Sequence, residues 1–176
     1  MRLVQPLKII VRNRRSEEMQ SYIIIDGWKT NIRFSSAHII PEYEKCGRLH
    51  GHTYAIHAKV VGTPDEKGII IDFSVLKHIL KTIAEELDHR ILIPTDSGVS
   101  LVQKNKSVEI TALGKHYVFP KDDCLLLPIS STSVENLANY VLERVVNELD
   151  SSLAFTSIEI GVDEGYGQGA RMSKTW

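Results

Sequence analysis

Two histidines separated by one residue, His50 and His52, stand directly before the apolar segment 54–61, which has the composition of a β-strand. Residues two apart on a strand point to the same face, so both imidazoles can reach one ion. His38 ends another strand-like run, 30–37, and could supply a third ligand. Three neutral imidazoles with a fourth position open to water or substrate make up the ligand set of a catalytic zinc ion. The chain is therefore predicted to fold around a metal centre.

Cys46 lies four residues before His50, and two interpretations of it stay open. Its thiolate could fill the fourth metal position and close the site, or it could stand beside the metal as a base or nucleophile. His57 lies on the same predicted strand but on the opposite face from His50 and His52, so an ordinary surface or core histidine is expected there. A single H-x-H pattern occurs often by chance. The clustering of His38 and Cys46 with it is what favours a metal site.

Composition narrows the class of protein. A chain of 176 residues has the length of one domain and can bury a core without disulfides. A net charge of −1 gives no general field for nucleic acid or for an anionic membrane, so neither is an expected partner. Two cysteines favour a reducing, cytoplasmic location. The first 21 residues form a basic leader without the apolar stretch of a signal peptide or membrane anchor, and we interpret it as a solvated or edge segment.

Turn signals divide the chain into strands and loops. The segments 22–25 and 29–34 are predicted to form a hairpin around the Asp-Gly dipeptide at 26–27. The stretch 93–129 shows short alternating runs, which predict an extra hairpin inserted into the fold. The segment 155–162 alternates as a final internal strand, and the end of the chain is expected to form an edge strand.

Two segments have the apolar spacing of amphipathic helices. Asp72 is the expected N-cap of a first helix that ends near Leu87. The serine- and threonine-rich cluster 130–133 is expected to cap a second helix. The order of elements predicts a one-domain α+β fold, in which a mostly antiparallel sheet is covered on one face by two helices.

Several separated motifs together resemble one family, that of 6-pyruvoyl-tetrahydropterin synthase and 6-carboxy-tetrahydropterin synthase. They are His38, Cys46-Gly-Arg-Leu-His50-Gly-His52, Gly68-Ile-Ile-Ile-Asp72-Phe73, Leu87-Asp88-His89, Ser133-Val-Glu135-Asn136-Leu137-Ala138 and Glu164. The resemblance covers roughly residues 31–92 and 130–171, and its strength is that the motifs agree in order and spacing. The Cys-x-x-x-His-Gly-His spacing resembles the 6-carboxy enzymes of deazaguanine (queuosine) synthesis in particular.

The resemblance implies a tunnelling-fold (T-fold) subunit that assembles into an oligomeric barrel, commonly a homohexamer, with active sites where subunits meet. Pairing between neighbouring subunits would cover strand edges that an isolated sheet leaves open.

The resemblance also implies a role for each motif residue. His38, His50 and His52 would bind zinc, Cys46 would be the general base, Asp88 and His89 would form a proton-handling pair, Glu164 would anchor the pterin, and Ser133 and Glu135 would contact the substrate. Local alternatives stay open for four of these residues. Asp88 and His89 could simply end a helix, Glu135 could simply complement a helix dipole, and Glu164 could be a surface carboxylate in a turn.

The implied reaction is the zinc-dependent conversion of 7,8-dihydroneopterin triphosphate to 6-carboxy-5,6,7,8-tetrahydropterin, with loss of triphosphate and acetaldehyde. Elimination of triphosphate alone, which gives 6-pyruvoyl-tetrahydropterin, is the nearest alternative. Cleavage to a 6-hydroxymethyl pterin is disfavoured because Gly47, not glutamate, follows Cys46, although Glu44 is close. The alternative from a different class of protein is a non-catalytic structural zinc module, in which Cys46 would be the fourth ligand. Candidate cations for the triphosphate are Lys45, Arg48 and Lys115, and Cys124 is expected to serve packing.

Overall fold

The structure is a computed structural model that describes residues 20–40, 43–97, 99–112, 114–149 and 154–176. The predicted basic leader lies outside the described residues, apart from Gln20 and Ser21. The strands are β1 (Ser21–Ile25), β2 (Arg33–His38), β3 (His50–Gly62), β4 (Arg90–Pro94), β5 (Ser100–Gln103), β6 (Ser107–Ala112), β7 (Lys115–Pro120), β8 (Cys124–Leu127), β9 (Phe155–Glu164) and β10 (Gly169–Thr175). The helices are α1 (Gly27–Thr30), α2 (Phe73–Leu87) and α3 (Val134–Glu148), and a 3-10 turn covers Lys121–Asp123.

The main sheet is built around β3, which is 13 residues long. Its strand order is β10-β9-β3-β2-β4-β8, and β1 also pairs with β3. The first half of β3 pairs with β2 and the second half pairs with β1, both antiparallel, while β9 pairs along the other edge. Strands β1 and β2 therefore lie end to end along one edge of β3, separated by the single turn α1.

The predicted hairpin between 22–25 and 29–34 is wrong, because β1 and β2 each pair with β3 and not with each other. The Asp26 carboxylate accepts hydrogen bonds from the N–H groups of Trp28 (3.0 Å) and Lys29 (3.2 Å), which caps a helical turn rather than a hairpin turn. A side chain at Gly27 would collide with the backbone of Ile56, so glycine lets this turn sit directly on β3.

Both long helices form where their sequence signals predict and pack on one face of the sheet. The Asp72 carboxylate accepts from the Ser74 N–H at 2.7 Å to cap α2, and the Ser133 hydroxyl accepts from the Asn136 N–H at 3.4 Å to cap α3. The apolar faces of α2 and α3 are buried with the alternate residues of β3 and β9 in one core. The predicted α+β layering, with two helices over one sheet face, is confirmed.

The stretch after β4 is more elaborate than a single hairpin. Strands β5, β6 and β7 form a second, three-stranded antiparallel sheet. It packs on β4 and β8 through a separate apolar cluster of Ile93, Val108, Ile110 and Ala112. Strand β4 runs parallel to both β2 and β8, so β4 and β8 add two strands to the edge of the main sheet beside β2. Among the described helices, none is long and apolar enough to cross a membrane.

Candidate metal centre and surrounding cleft

The antiparallel pairing of β2 with β3 brings three histidines to one end of the sheet. His38 is the last residue of β2 and lies opposite His50, the first residue of β3, while His52 lies opposite Ser36. One ring nitrogen from each histidine lies within 4.8 Å of the other two. His38 is fully buried, and His50 and His52 are half-buried. The three side chains predicted to bind a metal are therefore adjacent in space.

Hydrogen bonds to carbonyl groups fix the orientation of two of these rings. Nδ1 of His38 lies 3.0 Å from the Thr132 carbonyl oxygen, and Nδ1 of His50 lies 2.7 Å from the Arg48 carbonyl oxygen. A carbonyl can only accept, so both Nδ1 atoms carry the proton and both Nε2 atoms present a lone pair. These Nε2 atoms face each other at 3.1 Å. Two lone pairs at this distance repel unless a cation lies between them.

A metal ion fits this arrangement better than a proton does. Burial lowers the pKa of His38 to about 4, with the neighbouring His50 and His52 acting in the same direction and the Thr132 carbonyl opposing them. His38 is thus neutral near pH 7, which is the form that ligates metals. Nε2 of His52 is buried and has no hydrogen-bond partner among the described residues. A bound ion would satisfy all three nitrogens, and Nδ1–H bonds to carbonyls are the usual second-shell support of metal-binding histidines.

Gly51 sets the distance between the strands that carry these ligands. A Cβ atom at this position would lie 2.9 Å from the carbonyl oxygen of Ser36 on β2, closer than real Cβ contacts. The glycine therefore allows β2 and β3 to approach closely beside His50 and His52.

Glu164, the predicted pterin anchor, lies beside the histidines at the end of β9. Its Oε1 atom is 3.2 Å from Nε2 of His52 and 3.4 Å from Nε2 of His38. Tyr54 on β3 pairs with Glu164 across the sheet, and its hydroxyl donates to the same Oε1 atom at 3.5 Å. Burial, together with the Glu164 charge, raises the pKa of Tyr54, so this hydroxyl stays protonated. Glu164 is therefore part of the cluster rather than a free surface carboxylate.

Cys46 lies in the segment between β2 and β3 and is partly exposed. Its carbonyl oxygen accepts from the Ile40 N–H at 2.8 Å, which ties the segment back to the end of β2. In the part of the chain that the structure describes, the group of side chains able to share a metal contains His38, His50 and His52 and does not include Cys46. The structure thus brings Cys46 near the strand ends without placing its sulfur among the ligand atoms.

Asp88 and His89 form a directly bonded pair where α2 ends. Oδ2 of Asp88 is 2.7 Å from Nδ1 of His89, and Oδ1 accepts from the Ser35 N–H at 2.7 Å. Burial opposes ionisation of Asp88, but the Ser35 N–H and the His89 ring together lower its pKa, so the carboxylate is charged. His89 has a positive φ of 57°, a conformation that is uncommon for residues other than glycine and is found at functional sites. The pair is oriented and largely exposed.

His52 and His89 line the same open cleft, which has a volume of about 510 Å³. The other lining residues are Ser35, Ser36, Ala37, Gly51, Thr53, Arg90, Ile91 and Asp123. Arg90 is the cation of this cleft, and sequence reasoning missed it because it follows the Asp-His pair as an unremarkable strand residue. A polar cleft with a candidate metal-binding histidine, an Asp-His pair and a guanidinium can hold an anionic, hydroxylated substrate.

The remaining candidate residues have simpler environments. Ser133 uses its hydroxyl to cap α3, and Glu135 is exposed in the first turn of that helix. Lys45, Arg48 and Lys115 are all exposed. Cys124 is half-exposed and packs against the apolar cluster beneath the second sheet, as expected for a packing residue.

A second histidine–carboxylate cluster lies on the opposite face of β3. Asp163 accepts hydrogen bonds from Nε1 of Trp28 (2.8 Å), Nε2 of His57 (2.9 Å) and Nη1 of Arg171 (2.7 Å). The Gly27 N–H donates to the other ring nitrogen of His57 at 3.2 Å. Burial opposes ionisation of Asp163, but the hydrogen bonds from Trp28 and Arg171, with His57 acting in the same direction, lower its pKa. Sequence reasoning identified His57 as an ordinary histidine and did not identify Asp163.

Comparison with known proteins places this arrangement among pterin synthases. The family model of 6-pyruvoyl tetrahydropterin synthase matches residues 28–174. A Methanocaldococcus jannaschii protein provisionally named 6-carboxy-5,6,7,8-tetrahydropterin synthase is 36% identical over 151 residues, which cover 83% of this chain and 92% of that protein. The Bacillus subtilis 6-carboxy-5,6,7,8-tetrahydropterin synthase is 30% identical over 118 residues, or 63% of this chain and 64% of that enzyme. A catalytic-glutamate mutant of the Plasmodium vivax 6-pyruvoyltetrahydropterin synthase superposes with a TM-score of 0.84 at 27% identity, covering 90% of this chain and 100% of that one.

Proposed function

We propose a function from one established premise: the chain belongs to the 6-pyruvoyl tetrahydropterin synthase family and has its T-fold. The proposed activity is that of a zinc-dependent 6-carboxy-5,6,7,8-tetrahydropterin synthase. Its substrate would be 7,8-dihydroneopterin triphosphate, and its products 6-carboxy-5,6,7,8-tetrahydropterin, triphosphate and acetaldehyde. The names of the relatives from Methanocaldococcus jannaschii and Bacillus subtilis support this choice of product.

The observation that carries the proposal is the 3.1 Å distance between Nε2 of His38 and Nε2 of His50, two atoms that direct lone pairs at each other. His38, His50 and His52 would hold the zinc ion. Three imidazole nitrogens without a thiolate match a catalytic rather than a closed structural zinc site. The absence of Cys46 from this ligand group, among the described residues, supports the enzyme over the structural zinc module. Zinc bound there would polarise the hydroxyl groups of the substrate side chain and stabilise negative charge that develops on them.

The side chains around the histidines have the chemistry that the reaction requires. Cys46, as a thiolate, would remove a proton from the substrate side chain. His89, held by Asp88 at 2.7 Å, would take up and return protons in the cleft that it shares with His52. Glu164 would accept two hydrogen bonds from the amine and ring N–H of the pterin. Arg90, in the same cleft, joins Lys45, Arg48 and Lys115 as a candidate for binding the triphosphate, while Ser133 and Glu135 remain candidate substrate contacts.

A homo-oligomer, commonly a hexamer in the resemblance described above, is part of the proposal. The outer edges of β1 and β10 are unpaired in the described chain, and partner subunits would cover them and complete the active sites. We propose a cytoplasmic location on the grounds of the two free cysteines. We also propose that residues 1–176 are one domain.

The nearest alternative is elimination of triphosphate alone to give 6-pyruvoyl-tetrahydropterin. The structural similarity to the Plasmodium vivax enzyme favours it, since that protein is named for this product. That mutant is also described as altered at a catalytic glutamate, and Glu44 lies two residues before Cys46 in this chain. The 6-carboxy, 6-pyruvoyl and 6-hydroxymethyl pterins differ in mass. Mass spectrometry of the products formed from dihydroneopterin triphosphate by the zinc-loaded protein distinguishes all three.

Replacement of Cys46 tests the proposed division between ligands and base. Cys46→Ala should reduce turnover by at least about 100-fold, because positioned acid–base groups contribute about 10²–10⁴-fold. The zinc content should stay unchanged, as measured by atomic absorption on the purified protein. Cys124→Ala is the matched control and should change neither quantity. Loss of zinc from the Cys46→Ala protein would make Cys46 a ligand and support the structural module.

A further inference from the structure

We propose that Asp163 is a positioning residue of the pterin site: its carboxylate holds the end of β9 so that the next residue, Glu164, presents its own carboxylate to the pterin. This inference rests on the proposed function, in which Glu164 anchors the pterin, and adds a residue that touches no substrate. Consecutive residues on a strand point to opposite faces. The Glu164 side chain lies beside His38 and His52, so Asp163 lies on the other face and acts on Glu164 through the backbone.

The Asp163 carboxylate connects the end of β9 to three other elements. Its Oδ2 atom accepts from Nε1 of Trp28 on α1 and from Nε2 of His57 on β3, and its Oδ1 atom accepts from Nη1 of Arg171 on β10. Only 9% of the Asp163 side chain is exposed, so these bonds are largely shielded from water and strengthened by that environment. The end of β9 is therefore held by both neighbouring strands and by the turn between β1 and β2.

The Glu164 side chain, in contrast, has few described contacts that fix its position. The Tyr54 hydroxyl donates to it at 3.5 Å, which is at the limit of a hydrogen bond. Nε2 of His38 lies 3.4 Å from the same Oε1 atom but presents a lone pair, so it donates no proton to the carboxylate. A carboxylate that accepts a pair of hydrogen bonds from a flat ring must be placed accurately. That placement depends on the main chain at Asp163 and Glu164.

Two strand glycines make room for the pair formed by Asp163 and Arg171. A Cβ atom at Gly169, which pairs with Asp163 across the two strands, would collide with the Asp163 carboxylate. A Cβ atom at Gly161 would collide with the Arg171 side chain. Glycine inside a strand weakens the strand, and a partly buried ion pair is weak evidence for added stability. Positioning of Glu164 therefore explains the arrangement better than stabilisation does.

Pterin binding to the zinc-loaded protein tests the proposal without any measurement of turnover. The probe is neopterin, and its affinity is measured by equilibrium dialysis. Arg171→Met removes one bond to Asp163 at a side chain that is 42% exposed, so the variant should fold. Trp28→Phe removes a second bond to Asp163 and keeps an aromatic ring. Each replacement is made in the wild type and again in a Glu164→Gln background.

The matched control is Arg144→Met, which breaks an arginine–carboxylate pair with Glu86 on the surface of the helices. It should bind neopterin as the wild type does. Zinc affinity, measured by chelator competition, should be the same in the wild type, the control and the variants at positions 28 and 171.

We expect Arg171→Met and Trp28→Phe each to weaken neopterin binding by at least about fivefold, because Glu164 loses its fixed position. Glu164→Gln alone should weaken binding more than either replacement. In the Glu164→Gln background the two replacements should have no further effect, because the group that they position is already gone. A general loosening of the fold would instead weaken binding by the same factor in both backgrounds.

Unchanged neopterin affinity in Arg171→Met and Trp28→Phe would overturn the proposal. Equal losses with and without Glu164→Gln would also overturn it, since that result indicates a structural role alone. The outcome is separable from that of the proposed function. If the wild type bound no neopterin and formed no product, the proposed function would fail and this inference with it. If the wild type bound neopterin and formed product while Arg171→Met and Trp28→Phe kept full affinity, only the positioning role would fail.

Discussion

Two histidine–carboxylate clusters lie on opposite faces of the same pair of strands, and their hydrogen bonding differs completely. Around His57, each described donor meets an acceptor: the Gly27 N–H donates to one ring nitrogen, and the other donates to Asp163. Around His38 and His50, two acceptor nitrogens face each other, and the buried Nε2 of the neighbouring His52 has no described partner. The first cluster is complete in the protein alone. The second is left incomplete by the described residues and could hold an ion, so unsatisfied geometry, rather than residue type, distinguishes a candidate binding site from a structural network.

The largest expected effect comes from removing a histidine from the incomplete cluster. His50→Ala should weaken zinc binding by more than about 100-fold and abolish turnover, since even second-shell changes at metal sites cost about 10–100-fold. His57→Ala, on the same strand but the opposite face, should keep the full metal content. Atomic absorption and chelator competition measure both. A similar loss of metal in the two variants would remove the distinction between the clusters.

Removing the carboxylate of the complete cluster should instead affect folding. Asp163→Ala leaves Trp28, His57 and Arg171 without their acceptor, and we expect a loss of about 3 kcal/mol in the free energy of unfolding. Zinc content should not change. Urea unfolding followed by circular dichroism measures the effect. Arg144→Ala, which removes an ion pair at the surface with Glu86, is the control and should cost at most about 1 kcal/mol. If the two variants were equally stable, the Asp163 network would contribute no more to the free energy of unfolding than a surface ion pair.

A smaller effect is expected in the pH dependence of stability. Asp163 has a lowered pKa in the folded protein, so its contribution is present above the ordinary carboxyl pKa and is lost as the pH falls through the lowered value. The titratable or charged groups around it are His57 and Arg171, with Asp26 3.8 Å from His57, and Arg171 supplies the positive charge. Asp163→Asn should therefore be less stable than the wild type at pH 6, and the difference should shrink as the pH approaches 3. Urea midpoints across this range provide the measurement, and a constant difference would show that the charge of Asp163 is not involved.

The sequence predicts those parts of the molecule whose signals are local. Asp72 and Ser133 cap their helices as expected, because a capping side chain and its partner lie two or three residues apart. The convergence of His50 and His52 follows from strand periodicity alone. The hairpin prediction failed because an Asp-Gly pair can also begin a helical turn. Here the helical turn lets Gly27 pack on the backbone of Ile56, a contact between residues far apart in the sequence.

Long-range and backbone contacts could not be predicted in this way. The carbonyl groups of Thr132 and Arg48 orient two of the histidines, and every residue has a carbonyl, so nothing in the sequence marks these two. Trp28 and Asp163 are 135 positions apart, and neither belongs to a motif. Sequence reasoning therefore identified the candidate ligands of the metal centre but not the groups that hold them.

The close approach of β2 and β3 at Gly51 also bears on which ions the centre can accept. A methyl group there would push the two strands apart. It would thereby widen the gap between His38 on β2 and His50 on β3, which form the neighbouring cross-strand pair. A wider gap would fit a larger cation with longer bonds and weaken the preference for a small one. Ionic-radius selectivity would then depend on a residue that has no side chain and touches no ion.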